Sequence, residues 1–335
     1  MNDQMVSVVI INYNSGAYIF DCLAAIEKQT HPLYEVLILD NKSEDGSSKR
    51  LEAISADKGY RYWRFDDNLG SAKANNFGIF NSRGEYVLIL NADVFLTPAY
   101  IEKCVLVFNK DKSIGTVAGK LLSSRDHRII DSAGIVLYKE GLGCDRGKGE
   151  FDEGQFEKEE YVAGACCAAA VYRKEMLRDL EYGEEYYDNN FFSFQEDVDL
   201  SIQSLLLDWK TLYVPEAVAY HVRGGSTKNV SRFANYLSLR NEEFLYYKYF
   251  RPAKIGPVLL RKILTLIRVF RFGRGIFRQI HKELEGKRGV FDQRLKHFAQ
   301  KIDYSNLHYF TAESRLMYKL RRFIYPAQKN HAGAK

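Results

Sequence analysis

Three carboxylic acids stand close together in the segment FFSFQEDVDL, residues 191–200, directly behind aromatic side chains. The acids are Glu196, Asp197 and Asp199. Acids in the first turn of a helix stabilise its dipole by roughly 0.3–1 kcal/mol each, which explains one or two of them. Apolar walls have a different effect, because they raise the pKa of a carboxylate and exclude water, which makes a better general base. The segment therefore indicates either a charged helix start or a catalytic carboxylate.

Polar side chains also follow three predicted strands, at residues 5–11, 35–40 and 86–90. They are Asn12, Tyr13, Asp40, Asn41, Asn91 and Asp93. In an open α/β sheet, ligands bind beyond the carboxyl ends of the strands. One such turn needs no function, since Asn, Asp and Ser are good turn residues. Three together favour a nucleotide site, and the missing G-x-G-x-x-G pattern disfavours a dinucleotide-dependent dehydrogenase.

Asp93 and a further strand-end residue, His221, suggest a metal ion. Asp93 follows a buried-type strand, where a carboxylate is well placed to hold a divalent cation against a diphosphate. Mg²⁺ typically takes one or two protein carboxylates together with phosphate oxygens. His221 ends an apolar strand and precedes a Gly-rich loop, so it is either a metal ligand or a structural histidine.

The elements that must position these residues follow a regular order. Apolar, β-branched strands alternate with helical patterns through the first 110 residues, which predicts βαβ units and a mostly parallel sheet. A Gly- and charge-rich loop at residues 140–155 is long enough to be functional. Residues 164–172 are predicted to form a buried strand of small side chains, and residues 197–209 an amphipathic helix.

Charge is concentrated near the C-terminus of the 335-residue chain. Residues 251–290 hold eleven Lys or Arg and two acids, although the net charge of the whole chain is +5. This asymmetry predicts an anionic partner, either a membrane surface or nucleic acid. The apolar and basic pattern around residues 257–280 fits an interfacial helix. It equally fits a helix that packs on the core and turns a basic face to solvent.

Composition places limits on the compartment. The five cysteines form no C-x-x-C pair, which favours a reducing environment. The first residues predict a strand without a basic leader, and no uninterrupted apolar run reaches about 18 residues. We therefore expect a cytoplasmic protein, which would lie at the inner face of the cell membrane if its anionic partner is a membrane surface.

Several segments together resemble the inverting glycosyltransferases of family 2, with a GT-A fold, and in particular their rhamnosyltransferase-like branch. VSVVIINYNSG, VLILDNKSEDGS and NLGSAKANNFGI are similar to the nucleotide-binding segments of that family. LILNADVFLTP resembles its metal motif, and YYDNNFFSFQEDVDL resembles F-D-E-x-F-F-x-Y-x-E-D-x-D-L. The resemblance covers about residues 5–250 in order. It implies a GT-A domain at residues 1–230 and a helical, basic extension at residues 231–335.

The resemblance also implies roles for individual residues. Asp197 would be the catalytic base, with Glu196 beside it at the acceptor, and the aromatic residues before them would wall the acceptor pocket. Asp199 would stabilise the helix start. Asp93 and His221 would bind Mg²⁺ or Mn²⁺. The implied nucleotide contacts are Asn12, Tyr13, Asp40, Asn41, Asn68, Gly70, Lys73, Asn76 and Asn91.

Two departures from the family pattern bear on these roles. Asn91 stands where many members have the first acid of D-x-D, and Lys73 stands where this branch often has Gly. Lys73 either reaches a phosphate or remains solvated. The implied donor is a nucleotide-sugar, with dTDP-L-rhamnose as the first candidate, for bacterial surface polysaccharide synthesis. The acceptor would be a glycan or a lipid-linked sugar, with peripheral membrane association, a possible homodimer and no nucleic acid.

Two other functional classes remain as alternatives. A sugar nucleotidyltransferase shares the sheet and the metal, but it would need a Gly-rich, Arg-containing loop after the first strand, and NYNSG is not one. A glycan-binding protein on an inactive transferase fold is favoured only by Asn91.

Overall fold

Strands and helices alternate through the first third of the computed structural model, which describes residues 5–223, 231–250, 265 and 273–312. The elements there are β1 (Val6–Asn12), α1 (Ile19–Glu27), β2 (Glu35–Asp40), α2 (Ser47–Lys58), β3 (Arg61–Arg64), α3 (Gly70–Asn81), β4 (Tyr86–Asn91), β5 (Val94–Leu96) and α4 (Tyr100–Phe108). β1 and β2 consist largely of buried β-branched and aliphatic residues, as strands covered on both faces do. The predicted order of elements is confirmed in this part of the chain.

The middle of the chain adds strands and two helices. They are β6 (Ile114–Ser123), β7 (Ile130–Ser132), β8 (Ile135–Tyr138), β9 (Leu142–Asp145), β10 (Glu160–Val162), β11 (Ala169–Arg173), α5 (Lys174–Asp179), α6 (Glu196–Leu206) and β12 (Lys210–His221). The strand predicted at residues 164–172 begins only at Ala169, so Cys166 and Cys167 precede it and line a cleft. Part of the long Gly-rich loop forms β9, which pairs with β8.

The C-terminal part is helical where it is described. It contains α7 (Ser231–Leu245), a π-helical turn (Tyr246–Phe250), α8 (Arg274–Phe298), α9 (Tyr304–Phe310) and the short strand β13 (Thr311–Ala312). Among the residues described, no helix has the length and apolar character needed to cross a bilayer. Most of the predicted interfacial segment, residues 257–272, lies outside the described residues apart from residue 265.

The main sheet has the order β10-β12-β6-β11-β4-β1-β2-β3, with β5 added beside β12 and β7 beside β6. The neighbours β4, β1, β2 and β3 are parallel, and β12 is parallel to β6. β11 lies antiparallel between β4 and β6, which leaves β6 running in the same direction as β4. The predicted sheet is therefore confirmed as largely unidirectional, with an antiparallel strand inside it.

Helices cover both faces of this sheet, so that each face has a core. One core contains Ile19 and Cys22 of α1 with Tyr100 of α4, and the other contains Ile79 of α3 and Met176 of α5. A third core joins the hairpin of β8 and β9 to α6, α7 and α8. The acidic segment at the start of α6 is thus held between the sheet domain and the C-terminal helices.

Candidate active site

A cleft of about 1010 Å³ opens at the carboxyl ends of β1 and β4. The wall of the cleft contains Tyr13, which follows β1, Asn91 at the end of β4, and Asp93 two residues later. Asp197 at the start of α6 and His221 at the end of β12 line the same cleft. The fold therefore brings the predicted base, the predicted metal ligands and part of the predicted nucleotide site together, where α/β sheets bind ligands.

Asn12 and Asp40 do not line this cleft, because both are fully buried. The Asn12 amide donates to Asp40 Oδ2 at 3.0 Å. Asp40 also accepts hydrogen bonds from the Ser43 backbone N–H and from the Ser48 hydroxyl, each at 2.7 Å. These bonds join β1, β2 and the start of α2. Contact of Asp40 with a nucleobase remains a prediction, and it would require this network to open.

Asn41, Asn68 and Gly70 do line the cleft and form one loop unit. The Asn41 side chain donates to Asn68 Oδ1 at 2.9 Å and accepts from the Leu69 N–H at 2.8 Å. Gly70 has φ +74°, and a Cβ there would lie 2.3 Å from the Phe192 carbonyl oxygen. Only glycine fits, so this loop is packed directly against the segment that precedes the acids.

Asn76 and Lys73 lie outside the cleft wall. Asn76 is buried, donates to the Tyr187 carbonyl at 2.8 Å and accepts from the N–H groups of Tyr186 and Tyr187. It anchors a loop onto α3, so its polar groups are already engaged. Lys73 is exposed on the same helix, which fits the solvated interpretation rather than a phosphate contact.

Asp93 and His221 meet because β5 pairs antiparallel with β12, with His221 opposite Val94. Asp93 Oδ1 lies 3.3 Å from His221 Nε2, and Nδ1 lies 2.7 Å from Asp131 Oδ2. Burial lowers the pKa of His221, but the bonds to Asp131 and Asp93 outweigh it and raise the pKa to about 9. All three side chains are almost fully buried.

The donor set of Asp93 and His221 suits a divalent cation, since carboxylate oxygen and imidazole nitrogen are common ligands. Asp131 on Nδ1 fixes the orientation of the His221 ring and leaves Nε2 facing Asp93. Within the described ranges, no group of three His, Cys, Asp or Glu is arranged to hold a metal. Asn91 lines the cleft beside this pair, where an amide replaces a carboxylate.

Asp131, Arg223 and Asp145 are site residues that the sequence analysis missed. Arg223 donates from Nε to Asp131 and, at 2.7 Å, from Nη2 to Asp145. Burial raises the pKa of Asp131, but His221 and Arg223 hold it below its usual value. Asp145 and Arg223 line the cleft. Side chains of alternating charge thus lead from Asp93 and His221 through Asp131 and Arg223 to Asp145, on the side of Asp197. No local pattern in the sequence predicts this arrangement.

Asp197 is partly exposed in the cleft, in the first turn of α6. Its carboxylate accepts from the Cys167 N–H at 3.3 Å and from its neighbour Val198 N–H at 2.9 Å. Removal of water by the surrounding protein, followed by the charge of Asp145, raises its pKa to about 6. A carboxylate with that pKa is ionised at neutral pH yet basic enough to accept a proton.

Glu196 is buried beside it and differs in its partners. The Ser71 hydroxyl donates to Oε1, and Oε2 is buried without a hydrogen-bond partner in the described part of the chain. Burial, followed by the charge of Asp197, raises the pKa of Glu196 to about 8. The two predicted catalytic acids are close enough to titrate as a pair, and burial favours retention of a proton on that pair.

The turn before these acids has an unusual backbone. Phe192, Phe194 and Gln195 have φ of 64°, 69° and 65°, which non-glycine residues rarely adopt. Asn241 of α7 is fully buried, and its amide donates to the carbonyls of Phe191, Ser193 and Phe194 at 2.9, 2.8 and 2.6 Å. Helix α7 thus holds the strained turn that precedes Asp197.

One prediction for this segment was wrong and another was incomplete. Asp199 lies in the first turn of α6, as expected, but it is also fully buried and pairs with Lys248 at 2.6 Å and with the Tyr249 hydroxyl at 2.9 Å. Phe191 does not wall the pocket, since it is buried in the core against Phe244. Phe192 and Phe194 line the cleft as expected. The sequence of an irregular turn does not show which side chains face the core and which face the cleft. The three phenylalanines were therefore predicted to share one role.

Solved structures define the fold class as GT-A. The chain superposes on GalNAc-T7, solved with UDP, GalNAc and Mn²⁺, with a TM-score of 0.58, 17% identity and coverage of 75% of this chain and 49% of that one. It superposes on the mannosyltransferase PcManGT from Pyrobaculum calidifontis, solved with GDP-Man and Mn²⁺, with a TM-score of 0.51, 14% identity and coverage of 96% and 81%. At these identities the likeness concerns the fold.

The sequence profile of glycosyl transferase family 2 matches residues 7–181, and the chain belongs to that family. An N-acetylglucosaminyltransferase of Mesorhizobium japonicum is 29% identical over 231 residues, which are 64% of this chain and 50% of that protein. The poly-beta-1,6-N-acetyl-D-glucosamine synthase of Staphylococcus epidermidis is 22% identical over 222 residues, covering 64% and 49%. The chain spans about half the length of these curated relatives. The family and fold predictions are confirmed, and the rhamnosyl branch is not.

Proposed function

We propose that the chain transfers a sugar from a nucleoside-diphosphate-sugar to an acceptor hydroxyl with inversion of the anomeric configuration. The observation that carries this proposal is that Asp197, with its raised pKa, shares one cleft with the Asp93–His221 pair. Family 2 membership supports the reaction class.

In this reaction Asp197 accepts the proton of the acceptor hydroxyl as its oxygen attacks the anomeric carbon. The bond from that carbon to the diphosphate oxygen breaks, and its electron pair leaves with the nucleoside diphosphate. A single displacement of this kind inverts the configuration. Because burial raises the pKa of both acids, a proton retained by the Glu196–Asp197 pair would limit the negative charge beside the attacking oxygen.

Asp93 and His221 would hold Mg²⁺ or Mn²⁺, with diphosphate oxygens as further ligands. A bound divalent cation stabilises the negative charge that develops on a leaving diphosphate. Asp131 holds the His221 ring in the orientation that this role needs. Arg223, fixed between Asp131 and Asp145, keeps a positive charge in the same wall of the cleft. These residues support a metal-assisted transferase.

The nucleotide would lie across Tyr13 and the Asn41–Asn68 loop, which line the cleft. The predicted donor dTDP-L-rhamnose has no support from the relatives, two of which are named for N-acetylglucosamine. UDP-N-acetylglucosamine is therefore the competing candidate. A glycan or lipid-linked acceptor at a membrane surface, with assembly of surface polysaccharide, remains part of the proposal.

The test is a donor panel with the purified protein and Mg²⁺ or Mn²⁺, followed by mass spectrometry. The panel contains UDP-, GDP- and dTDP-linked sugars, including dTDP-L-rhamnose and UDP-N-acetylglucosamine. Transfer or donor hydrolysis that requires Asp197 supports the proposal, and proton NMR of the product reports the anomeric configuration. Retention of configuration would contradict it. No turnover of any donor would favour a glycan-binding protein, and pyrophosphate release from a nucleoside triphosphate would favour a nucleotidyltransferase.

A further inference from the structure

Three phenylalanines give one part of the cleft wall an aromatic surface. They are Phe192 and Phe194 of the strained turn and Phe233 of α7. Phe194 is 38% exposed and Phe233 is 49% exposed. The rings of Phe192 and Phe233 pack edge to face, with centroids 6.1 Å apart. Large aromatic side chains gain from burial, so an exposed group beside a polar cleft indicates a ligand that covers it.

The backbone under these rings is held at a cost. Phe192 and Phe194 have positive φ, which for bulky side chains is strained, and a glycine at either position would relieve it. The Ala72 N–H binds the Phe192 carbonyl at 3.0 Å, and Asn241 binds the carbonyl of Phe194. Strain that the surrounding structure enforces in this way is concentrated at binding sites. The strained backbone of Phe192 and Phe194 therefore supports a functional role for their rings at this position.

Polar side chains beside the rings identify the kind of ligand. Asn235 and Ser238 of α7 line the same wall. A pyranose ring has an apolar C–H face that packs on aromatic rings and hydroxyl groups at its edge that need hydrogen-bond partners. An acyl chain would use the rings but leave the polar groups without partners. The mixture therefore matches a sugar ring better than a lipid chain.

We propose that Phe192, Phe194 and Phe233 form an acceptor subsite, in which the terminal pyranose of a glycan packs on the rings with a hydroxyl directed at Asp197. This inference rests on the proposed function and assigns the acceptor side of the cleft. Phe233 lies beyond residues 7–181, the part that matches the family profile. Helix α7 would thus contribute a ring to acceptor recognition from outside the matched residues.

Three substitutions of Phe233 separate the possible occupants. Phe233→Ala removes the ring, Phe233→Leu keeps an apolar side chain without an aromatic face, and Phe233→Trp keeps the face. Phe80→Ala is the matched control, because Phe80 is 58% exposed on α3 and outside the cleft. The acceptors are free disaccharides of glucose, galactose, N-acetylglucosamine and rhamnose, which carry no lipid chain.

The expected result is an acceptor KM raised about tenfold by Phe233→Ala and Phe233→Leu, and nearly unchanged by Phe233→Trp and Phe80→Ala. Donor hydrolysis in the absence of acceptor should be the same for Phe80→Ala and the wild-type protein. A Phe233→Leu variant with wild-type KM would overturn the stacking inference in favour of an acyl chain. An unchanged KM in Phe233→Ala would overturn the subsite itself.

A direct binding measurement separates this inference from the proposed function. Saturation-transfer NMR with the same disaccharides should show contact of the sugar ring protons with the wild-type protein and a loss of that contact in Phe233→Ala. If no donor is turned over but this difference is seen, the transferase proposal fails and the subsite stands. If the wild-type protein binds none of the disaccharides, the subsite inference is wrong whatever the donor result.

Discussion

The end of strand β2 and the start of α6 each hold a carboxylate, but the two carboxylates have opposite surroundings. Asp40 is buried and accepts three hydrogen bonds from Asn12, Ser43 and Ser48. Asp197 is partly exposed in the cleft, and its pKa is raised. A carboxylate whose partners are complete supports the fold, whereas one whose negative charge is only partly compensated is available for proton transfer. We therefore predict a structural role for Asp40 and a chemical role for Asp197.

The largest effect is expected from Asp197→Asn, which removes the base but keeps the size of the side chain. We expect kcat to fall about 10²- to 10⁴-fold, as loss of general-base catalysis typically does. Thermal unfolding should be almost unchanged. Asp21→Asn is the control, since Asp21 is an exposed acid in the first turn of α1 and lies outside the cleft. Equal activity of the two variants would show that Asp197 only stabilises a helix start.

Asp40→Ala tests the other side of the comparison. The change leaves the Ser43 N–H, the Ser48 hydroxyl and the Asn12 amide without a buried acceptor, so we expect a loss of about 2–4 kcal/mol in the free energy of unfolding. Urea denaturation measures it. A small loss of stability together with much weaker nucleotide binding would instead support contact between Asp40 and the base.

Asn241→Ala removes the hydrogen bonds between α7 and the turn that precedes α6. The three carbonyls of Phe191, Ser193 and Phe194 lose their donor, and the positive-φ turn can relax. We expect about a tenfold lower kcat and a smaller effect on nucleotide affinity, because Asn241 itself bonds the turn and not the nucleotide loop. Asn241→Asp is the informative partner, since a carboxylate has the same shape but cannot donate. Its kcat should fall at least as far.

Much of this fold was predictable, and the reason lies in periodicity. The strands β1, β2 and β4 are continuous apolar runs, and α6 has a clear apolar face, so their positions follow from local sequence. Asp93, Asp197 and His221 were found because the family pattern marks them. The strands between β6 and β10 are short and mixed in pattern, and that part of the sheet was not predicted in detail.

The missed residues depend on contacts between distant parts of the chain. Asp131 reaches His221 across 90 positions, and Asn241 reaches the turn across about 50. Neither lies in a local motif. The burial of Asp40 likewise depends on Ser43 and Ser48 folding back over the strand end, which the local sequence does not reveal. Only tertiary structure separates these cases.

Glu196→Gln sharpens the contrast within the acidic segment. The pKa of Glu196 is raised from 4.5 to about 8, so the protonated group favours the folded state most below about pH 4.5, and this contribution is lost as pH rises toward 8. A neutral amide should therefore raise the unfolding free energy more at pH 8 than at pH 5. Chemical denaturation at the two pH values measures this. A destabilised variant at pH 8 would mean that the Glu196 carboxylate is stabilised in the fold.

Asp145→Asn should have the smallest effect, a shift of the pH profile with little change in maximal rate. The negative charge of Asp145 is the second cause of the raised Asp197 pKa, after burial, and Arg223 opposes it. Removing that charge lowers the pKa of Asp197, so the acidic limb of the kcat profile moves to lower pH, by about half a unit. Steady-state rates between pH 5 and pH 9 measure it. An unmoved limb, with stability unchanged, would show that Asp197 is not the group whose ionisation sets the rate, and that the charge chain through Arg223 serves the metal side alone.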